Sequence, residues 1–502
     1  MRRLAIALPV LSLCLAGHLS SQCPDGTPPP CGRTPAPPAH SVAVLTFENV
    51  TRDTSAQYLA EGLADQVFTR LSGVARLTMI SRTTVRRLHN PERLSVQQLG
   101  RALNASYLVS GSIRAAGGRV RVNVEAVRAA TGEAVWSDAY DRASDDLIGL
   151  EEAIATEVAA GVAGRLSPRE HGALQKRVTT NSRAYEQFLR GNVLLARRTP
   201  ASLEGALAAY RAATVADSGF ADGYARLAYA SALCAFWSCG GDVDSLLVHA
   251  REAATRALRL DPRSSDAWMG RAYLLTVWSW GQGVLADDSL LASLAAYRRA
   301  VELNPRNDEA WHQYGATLVF VSDSASVDAL RRALTLDPAR AVTYAELSLT
   351  YYSMGRNDRA VATVDTALAL EPDGPFRTQR ALYRMAAGDT AGAVADARLT
   401  AGVLWSPLIL ASVAHDSMAV RLVDGWMAAN PTCTGIMGLW SSLYLVWAGR
   451  RKEALQRLLG CRPSLAAAWM LRLPVFSSLA DDPRIRALRA QSDSIVARAR
   501  WR

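Results

Sequence analysis

Lysine is almost absent from the chain. Of 56 basic residues in 502, all but Lys176 and Lys452 are arginine. A phosphate-cradling loop needs Gly-Lys followed by Ser or Thr. Here Gln175 precedes Lys176 and Arg451 precedes Lys452, so there is no P-loop, and the Val-Ala-Ile-Lys of protein kinases is equally missing. The seven histidines (His18, His40, His89, His171, His249, His312 and His415) include no His-x-x-x-His pair. No two cysteines stand in Cys-x-x-Cys spacing, so the sequence offers no zinc site. A Gly-x-Ser-x-Gly elbow is also lacking. No apolar run reaches the ~20 residues that a membrane-crossing helix needs. These absences argue against catalysis, and no cofactor and no metal are expected. The arginine skew is what a GC-rich coding sequence produces, and it points to a bacterial source.

What is present begins with an address. Met1-Arg2-Arg3 and the apolar stretch Leu4 to Ala16 read as a secretory signal peptide over residues 1–21, so an exported protein of the periplasm or cell envelope is expected. Leu-Ser-Leu-Cys14 is a poor lipoprotein box, and no lipid anchor is expected. Residues 22–40 form a stiff linker, with seven prolines between Cys23 and Ala39. Six cysteines outside the signal fall into three local pairs: Cys23 with Cys31, Cys234 with Cys239, and Cys433 with Cys461. An even number in an exported chain favours disulfides. The alternative for Cys234 is a small buried hydrophobe on a helix.

Residues 41–170 alternate strand and helix patterns. Val42 to Phe47 reads as a buried strand, and Thr54 or Ser55 as the cap of a helix ending near Leu71. Strands are expected at Leu77–Ser81, Tyr107–Arg114, Arg119–Val127 and Ala134–Tyr140, with a hairpin turn at Gly117-Gly118. Ser95 with Gln98 forms a capping box opening a second helix, and Asp145 to Arg165 reads as a long third one. The order predicts an α+β domain, one mixed sheet with packed helices. Arginines and carboxylates balance here at 15 each, which weakens any nucleic-acid surface. Asp145-Asp146 and Glu151-Glu152 invite a hydrolase reading, but all four cluster at a helix start, where negative charge complements the dipole. Arg82, Arg86, Arg87 and Arg93 read as a solvated basic face or as a surface for an acidic partner.

Several blocks in this region resemble the TolB amino-terminal-like (FlgO-like) domain: Val42–Asn49, Tyr58-Leu-Ala-Glu-Gly-Leu63, Leu71–Ser81, Tyr107-Leu-Val-Ser-Gly-Ser112, Gly118-Arg-Val-Arg-Val122 and Ala130-Thr-Gly-Glu-Ala-Val-Trp136 with Tyr140-Asp-Arg142. Thr46 departs from the proline usual in that family after the first strand. The resemblance implies an α/β binding domain of the kind that precedes tetratricopeptide repeats in bacterial proteins.

Residues 181–480 repeat. Asp261-Pro262, Asn304-Pro305, Asp337-Pro338 and Glu371-Pro372 recur at spacings of 43, 33 and 34. A period near 34 is the tetratricopeptide signature and predicts an all-α superhelix. The cleanest copy carries Tyr344, Leu347, Tyr351, Gly355, Ala360, Val364, Ala367 and Pro372. Loop extensions are expected at Trp237–Val243 and Ser279–Asp288. Degenerate copies follow at Gly388 with Ala393 and at Gly449 with Ala454, and residues 481–502 read as a C-terminal cap. In the last hairpin Cys433 precedes the first helix and Cys461 lies near the end of the second. Antiparallel helices bring those ends together, which makes this the favoured bridge.

Stacked hairpins leave a concave groove suited to a protein or peptide partner. Trp268, Tyr273, Trp311 and Tyr344 are its candidate contacts, against the plainer reading that they pack between helices. Arginine is spread along the solenoid, not gathered into a stripe, so no nucleic-acid partner is expected. The composite expectation is a non-enzymatic exported interaction scaffold. The alternative is a sensory or regulatory module of a signalling system, its α/β domain binding a small ligand.

Overall fold

The computed structural model describes residues 37–499 apart from 52–55, 89, 176, 282–286, 401–404 and 430–434. The signal segment, Cys23, Cys31, Cys433, Thr54 and Ser55 lie outside the described residues.

The α+β domain comprises β1 (Ser41–Val44), β2 (Glu48–Asn49), α1 (Gln57–Leu71), β3 (Thr78–Met79), α2 (Arg82–Arg86), α3 (Val96–Leu103), β4 (Tyr107–Ala116), β5 (Arg119–Arg128), β6 (Ala134–Ala143), α4 (Leu147–Ala163) and α5 (Pro168–Leu174). The strands form one mixed sheet in the order β3-β1-β4-β5-β6, with β2 added beside β4. β1 is parallel to both neighbours, and β4, β5 and β6 form an antiparallel meander. Gly117 and Gly118, at φ of 58° and 71°, make the two-residue turn between Ala116 and Arg119. Two left-handed residues suit the twist of the flanking strands, and glycine adopts that conformation without a β-carbon clash. Along β5 the alternation is regular: Val120, Val122, Val124 and Ala126 are buried, and Arg119, Arg121, Asn123 and Glu125 are exposed. That valine face packs with Val42 and Val109 against α1 and α4. Ala43, Leu108 and Val127, on the other face, are covered by Val85 of α2 and by Leu99 and Leu103 of α3.

Two local expectations change. The first strand stops at Val44, whose carbonyl accepts from Arg82, and pairing resumes as β2 beside Ser112 and Ile113. The second strand shortens to two residues because Ser81 leaves it to cap α2, its hydroxyl accepting from Thr84 N at 3.1 Å. α1 begins after Ala56, and the cap candidates Thr54 and Ser55 lie outside the described residues. The capping box at Ser95 and Gln98 is formed in both directions, at 2.8 and 3.2 Å.

From residue 182 the chain is an all-α superhelix of antiparallel hairpins: α6 (Ser182–Arg197) with α7 (Pro200–Ala216), α8 (Ala221–Trp237) with α9 (Val243–Leu260), α10 (Ser265–Gly281) with α11 (Asp287–Leu303), α12 (Asp308–Leu318) with α13 (Asp323–Leu336), α14 (Ala341–Ser353) with α15 (Asn357–Leu370), α16 (Arg377–Ala386) with α17 (Thr390–Leu399), α18 (Ser406–Ser412) with α19 (Ser417–Ala429) and α20 (Gly435–Trp447) with α21 (Arg451–Leu459). α22 (Leu465–Met470) and α23 (Pro483–Ala499) close it. Close approach of paired helices rests on alanine: Ala206, Ala213, Ala250, Ala257, Ala300, Ala360 and Ala367 are all fully or almost fully buried. The degenerate copies turn at Gly388 and Gly449, both left-handed like Gly355 of the cleanest copy. The α18–α19 hairpin carries no repeat signature.

The sheet domain and the first hairpins share one hydrophobic core, which runs from Val42 through Leu63, Tyr185, Phe188 and Tyr229 to Ala310. A second core continues from Leu290 to Val496. The segment after the last hairpin returns to the middle of the solenoid. Trp469 meets Phe320 edge-on at 5.3 Å, Arg472 donates to the Val319 carbonyl at 3.1 Å, and Asp287 accepts from Leu465 N at 3.0 Å.

Candidate functional site

The inner face of the superhelix follows from the first helix of each hairpin. On α10, Asp266 and Tyr273 are seven residues apart and so within about 20° of one line. Arg226 and Tyr229 take the equivalent side of α8, and Glu309 and Gln313 that of α12. These side chains interlock. Glu309 accepts from Arg198 Nη2 at 2.7 Å, Arg340 Nη1 at 2.8 Å, Gln313 Nε2 at 3.1 Å and the Tyr229 hydroxyl. Arg198 also donates to Tyr229 at 3.2 Å and lies 5.6 Å from its ring centre. Tyr229 in turn meets Tyr273 edge-on at 5.1 Å. Arg340 reaches Asp308 and, at 3.4 Å, Asp337. Asp266 pairs with Arg226 at 2.8 Å and accepts from Asn307 at 2.9 Å.

Arg198 follows α6 and Arg340 precedes α14, so this charged seam ties the first hairpin to the fifth. Burial opposes ionisation of Glu309, but the fields of Arg198 and Arg340 prevail and hold its carboxyl well below the ordinary range. Beside it His312, in hydrogen-bond contact with Thr343 at 3.1 Å, is pushed down to about 3 by burial and by Arg340. The same face continues on α14 with Val342, 41% exposed, and with Glu346, which burial raises to about 7.

The periodic turns between hairpins serve as a rail for the sheet domain. At the first, Arg306 donates to the carbonyls of Ser72, Val74 and Ala75, where α1 has just ended. A guanidinium at a helix C-terminus satisfies orphan carbonyls and complements the dipole. At the second, Asp337 accepts from the Ser81 hydroxyl at 2.7 Å. At the third, Arg87 reaches Glu371 and the Leu370 carbonyl. The basic stretch is therefore mostly not a solvated face: Arg82 and Arg86 share Asp65, and Arg87 meets an acidic residue of this same chain. Nearer the first hairpin, Glu151 of α4 is fully buried. It accepts from the Tyr185 hydroxyl of α6 and lies 3.5 Å from Arg70 Nε of α1. Burial raises its carboxyl to about 8. That corrects the expectation that it complements a helix dipole. The other carboxylates of the doublets diverge, Glu152 to Arg177 at 3.2 Å and Asp146 to Arg142 at 3.9 Å.

Of the four aromatic candidates, the structure brings only Tyr273 to the inner face. Trp268 and Trp311 lie on the far side of their helices. Each indole donates to the carbonyl of the proline six residues earlier, Pro262 at 2.9 Å and Pro305 at 3.0 Å, pinning the turn. Tyr344 takes the same register on α14 and is half-buried. The sequence reading missed Arg198, Glu309 and Arg340. Their signal was positional: Glu309 stands two residues before Trp311, as Asp266 does before Trp268, and Arg340 two after Pro338. Cys234 and Cys239 lie at the end of α8 with sulfurs at bonding distance and Cα atoms 5.2 Å apart. Among the described residues no group of His, Cys, Asp and Glu converges to hold a metal ion.

The model for the tetratricopeptide repeat matches residues 341–373, which span α14, α15 and the turn at Pro372. The carboxy-terminal part thus contains tetratricopeptide repeats, matched at the α14–α15 hairpin. In front of them, the model for the second domain of HilA/YgeH-like transcriptional regulators matches residues 38–157. A Rhizobium meliloti protein described as a putative adenylate cyclase 3 is 27% identical over 201 residues, 40% of this chain and 33% of its own length. The chain thus spans about a third of that curated relative. Among solved structures, a thermophilic tetratricopeptide protein of Thermus thermophilus is 20% identical and covers 40% of this chain and 99% of its own, with a TM-score of 0.34. The pilF protein of Pseudomonas aeruginosa is 21% identical and covers 43% and 93%, with a TM-score of 0.33.

Proposed function

We propose that the protein is a non-enzymatic, exported scaffold that holds a protein or peptide partner on the inner face of its tetratricopeptide repeats, the α/β domain serving as a second binding element. The observation that carries this is the run of stacked repeat hairpins itself, since such repeats generally serve protein–protein interaction. Because the seam fills the inner face from the first hairpin to the fifth, the partner engages it from α14 onward, where Val342 is exposed and Glu346 is half-buried. Export is supported by Met1-Arg2-Arg3 and the apolar residues 4–16, and no described helix is long and apolar enough to cross a membrane. The TolB amino-terminal-like assignment of residues 41–165 is supported by the ordered sequence blocks and by a mixed sheet carrying them. Crosslinked co-purification from the native envelope tests the scaffold: one stoichiometric polypeptide partner is expected, and recovery of the chain alone at native abundance would count against it.

A second reading has specific support. The family model matched over residues 38–157 is one of transcriptional regulators, and a curated relative is described as a putative cyclase, so the α/β domain fits a regulatory module that binds a small ligand. Thermal stabilisation by a nucleotide or metabolite, with protection confined to residues 41–170, would favour that reading over the scaffold.

A further inference from the structure

Among the described residues, exposed aromatic side chains gather at one place, the end of α8. Phe236 and Trp237, at 46% and 48% exposure, are the only exposed aromatic residues among those described. Trp268 and Trp311 pin turns, and Tyr229, Tyr273 and Tyr297 are buried. The pair occupies the end of α8, inside the short loop bounded by Cys234 and Cys239, both buried with their sulfurs at bonding distance. Val243, 39% exposed, extends the apolar surface onto the start of α9. Phe236 is braced by an edge contact with Tyr273, ring centres 6.5 Å apart. The loop is thus a held knuckle, and its exposed rings need little further ordering to bind.

The surroundings specify the charge of what it meets. Asp242 and Asp244 flank Val243, and the Glu204 carboxylate lies against Gly240, where a β-carbon would collide with it. All three acids are exposed. Exposed ring faces beside carboxylates attract cations through both the quadrupole and the net charge. This local acidity stands out on a chain of net charge +10, which repels cationic partners in general.

We propose that the Phe236–Trp237 knuckle is a docking surface for a basic, apolar segment of a partner protein, separate from the partner surface at α14. The apolar side chains seat on Phe236, Trp237 and Val243, and an arginine or lysine lies over Trp237 toward Glu204 and Asp244. The test uses the full mature chain and a labelled short peptide of alternating Arg and Leu, with Glu/Leu and Ser/Leu peptides as controls, read by fluorescence anisotropy. The Arg/Leu peptide is expected to bind and to lose about tenfold in affinity with Trp237→Ala, as truncated aromatic hot spots do. A similar loss is expected with Glu204→Gln combined with Asp244→Asn. Val342→Asp on the inner face should leave this binding unchanged, so a failure here is distinct from a failure of the groove. Binding that ignores Trp237→Ala, or equal binding of the Glu/Leu peptide, would overturn the proposal. So would a Trp237-dependent dimer in sedimentation, or Trp237-dependent partition onto phosphatidylcholine vesicles, because either assigns the patch to another occupant.

Discussion

Glu309→Ala is the sharpest perturbation of the seam. It removes one acceptor from Arg198, Arg340, Tyr229 and Gln313 together. Removing one partner of a buried ion pair costs about 3–5 kcal/mol, because the other charge stays behind. Here the Arg198 side chain is 36% exposed and Arg340 keeps Asp308 and Asp337, so solvent and the remaining carboxylates recover part of that. About 2 kcal/mol is the expected loss. A repeat solenoid opens in segments, so a single global melting value is a poor readout. Hydrogen exchange resolves the segments. About 2 kcal/mol corresponds to roughly thirtyfold faster exchange where opening is local. The informative location is remote: Arg198 is 111 residues before Glu309 in sequence. Protection should fall at the α6–α7 junction as well as in α12. Arg198→Ala should produce much of the same loss, and the double variant should fall short of additivity by about 1 kcal/mol. Faster exchange in α12 with α6–α7 untouched would refute the claim that the seam couples the first hairpin to the fourth and fifth.

Other outcomes follow from the junctions. Arg87→Ala with Arg306→Ala should release the sheet domain from the turn rail, seen as new limited-proteolysis cleavage near residues 72–75 while the repeats stay intact. Glu151 has a folded value raised to about 8, so its favourable contribution is full below its ordinary range near 4.5 and is lost as pH rises through about 8. Glu151→Gln should flatten denaturation midpoints between those limits, and an unchanged alkaline slope would reject the assignment. His312, lowered to about 3, acts in the opposite sense, because the unfolded chain takes up the proton first. Its contribution is present above about pH 6.5 and declines as pH falls toward 3. Non-reducing peptide mapping of exported protein should recover Cys234 joined to Cys239 and Cys433 joined to Cys461, and free thiols at these positions would reject the pairings.

Much of the architecture was legible because it rests on local chemistry. The valine alternation of β5, the Gly117-Gly118 turn, the Ser95 capping box and the proline-marked turns each act within a few residues, and each is where the pattern placed it. α2 was invisible because its five residues hold no apolar period. The α18–α19 hairpin lacks the glycine turn of its neighbours. The candidate site was less legible for a physical reason. Trp268 and Trp311 look like binding aromatics, but their indoles are used by Pro262 and Pro305, a contact set by helix phase. The seam joins Arg198, Glu309 and Arg340 across superhelical curvature, which no single repeat encodes. The fates of Glu151 and Arg87 depended on how the sheet domain meets the solenoid, and nothing in either segment alone specifies that contact.

The scaffold account is tested most directly by placing a photo-crosslinking residue at Val342, on the inner face beyond the seam, with a matched probe at the exposed Glu302 of α11 as control. In the native cell envelope, irradiation should join one defined polypeptide to the Val342 probe and not to the Glu302 probe. Equal adducts from both positions, or none from Val342 while the chain is folded and exported, would contradict a partner-binding inner face.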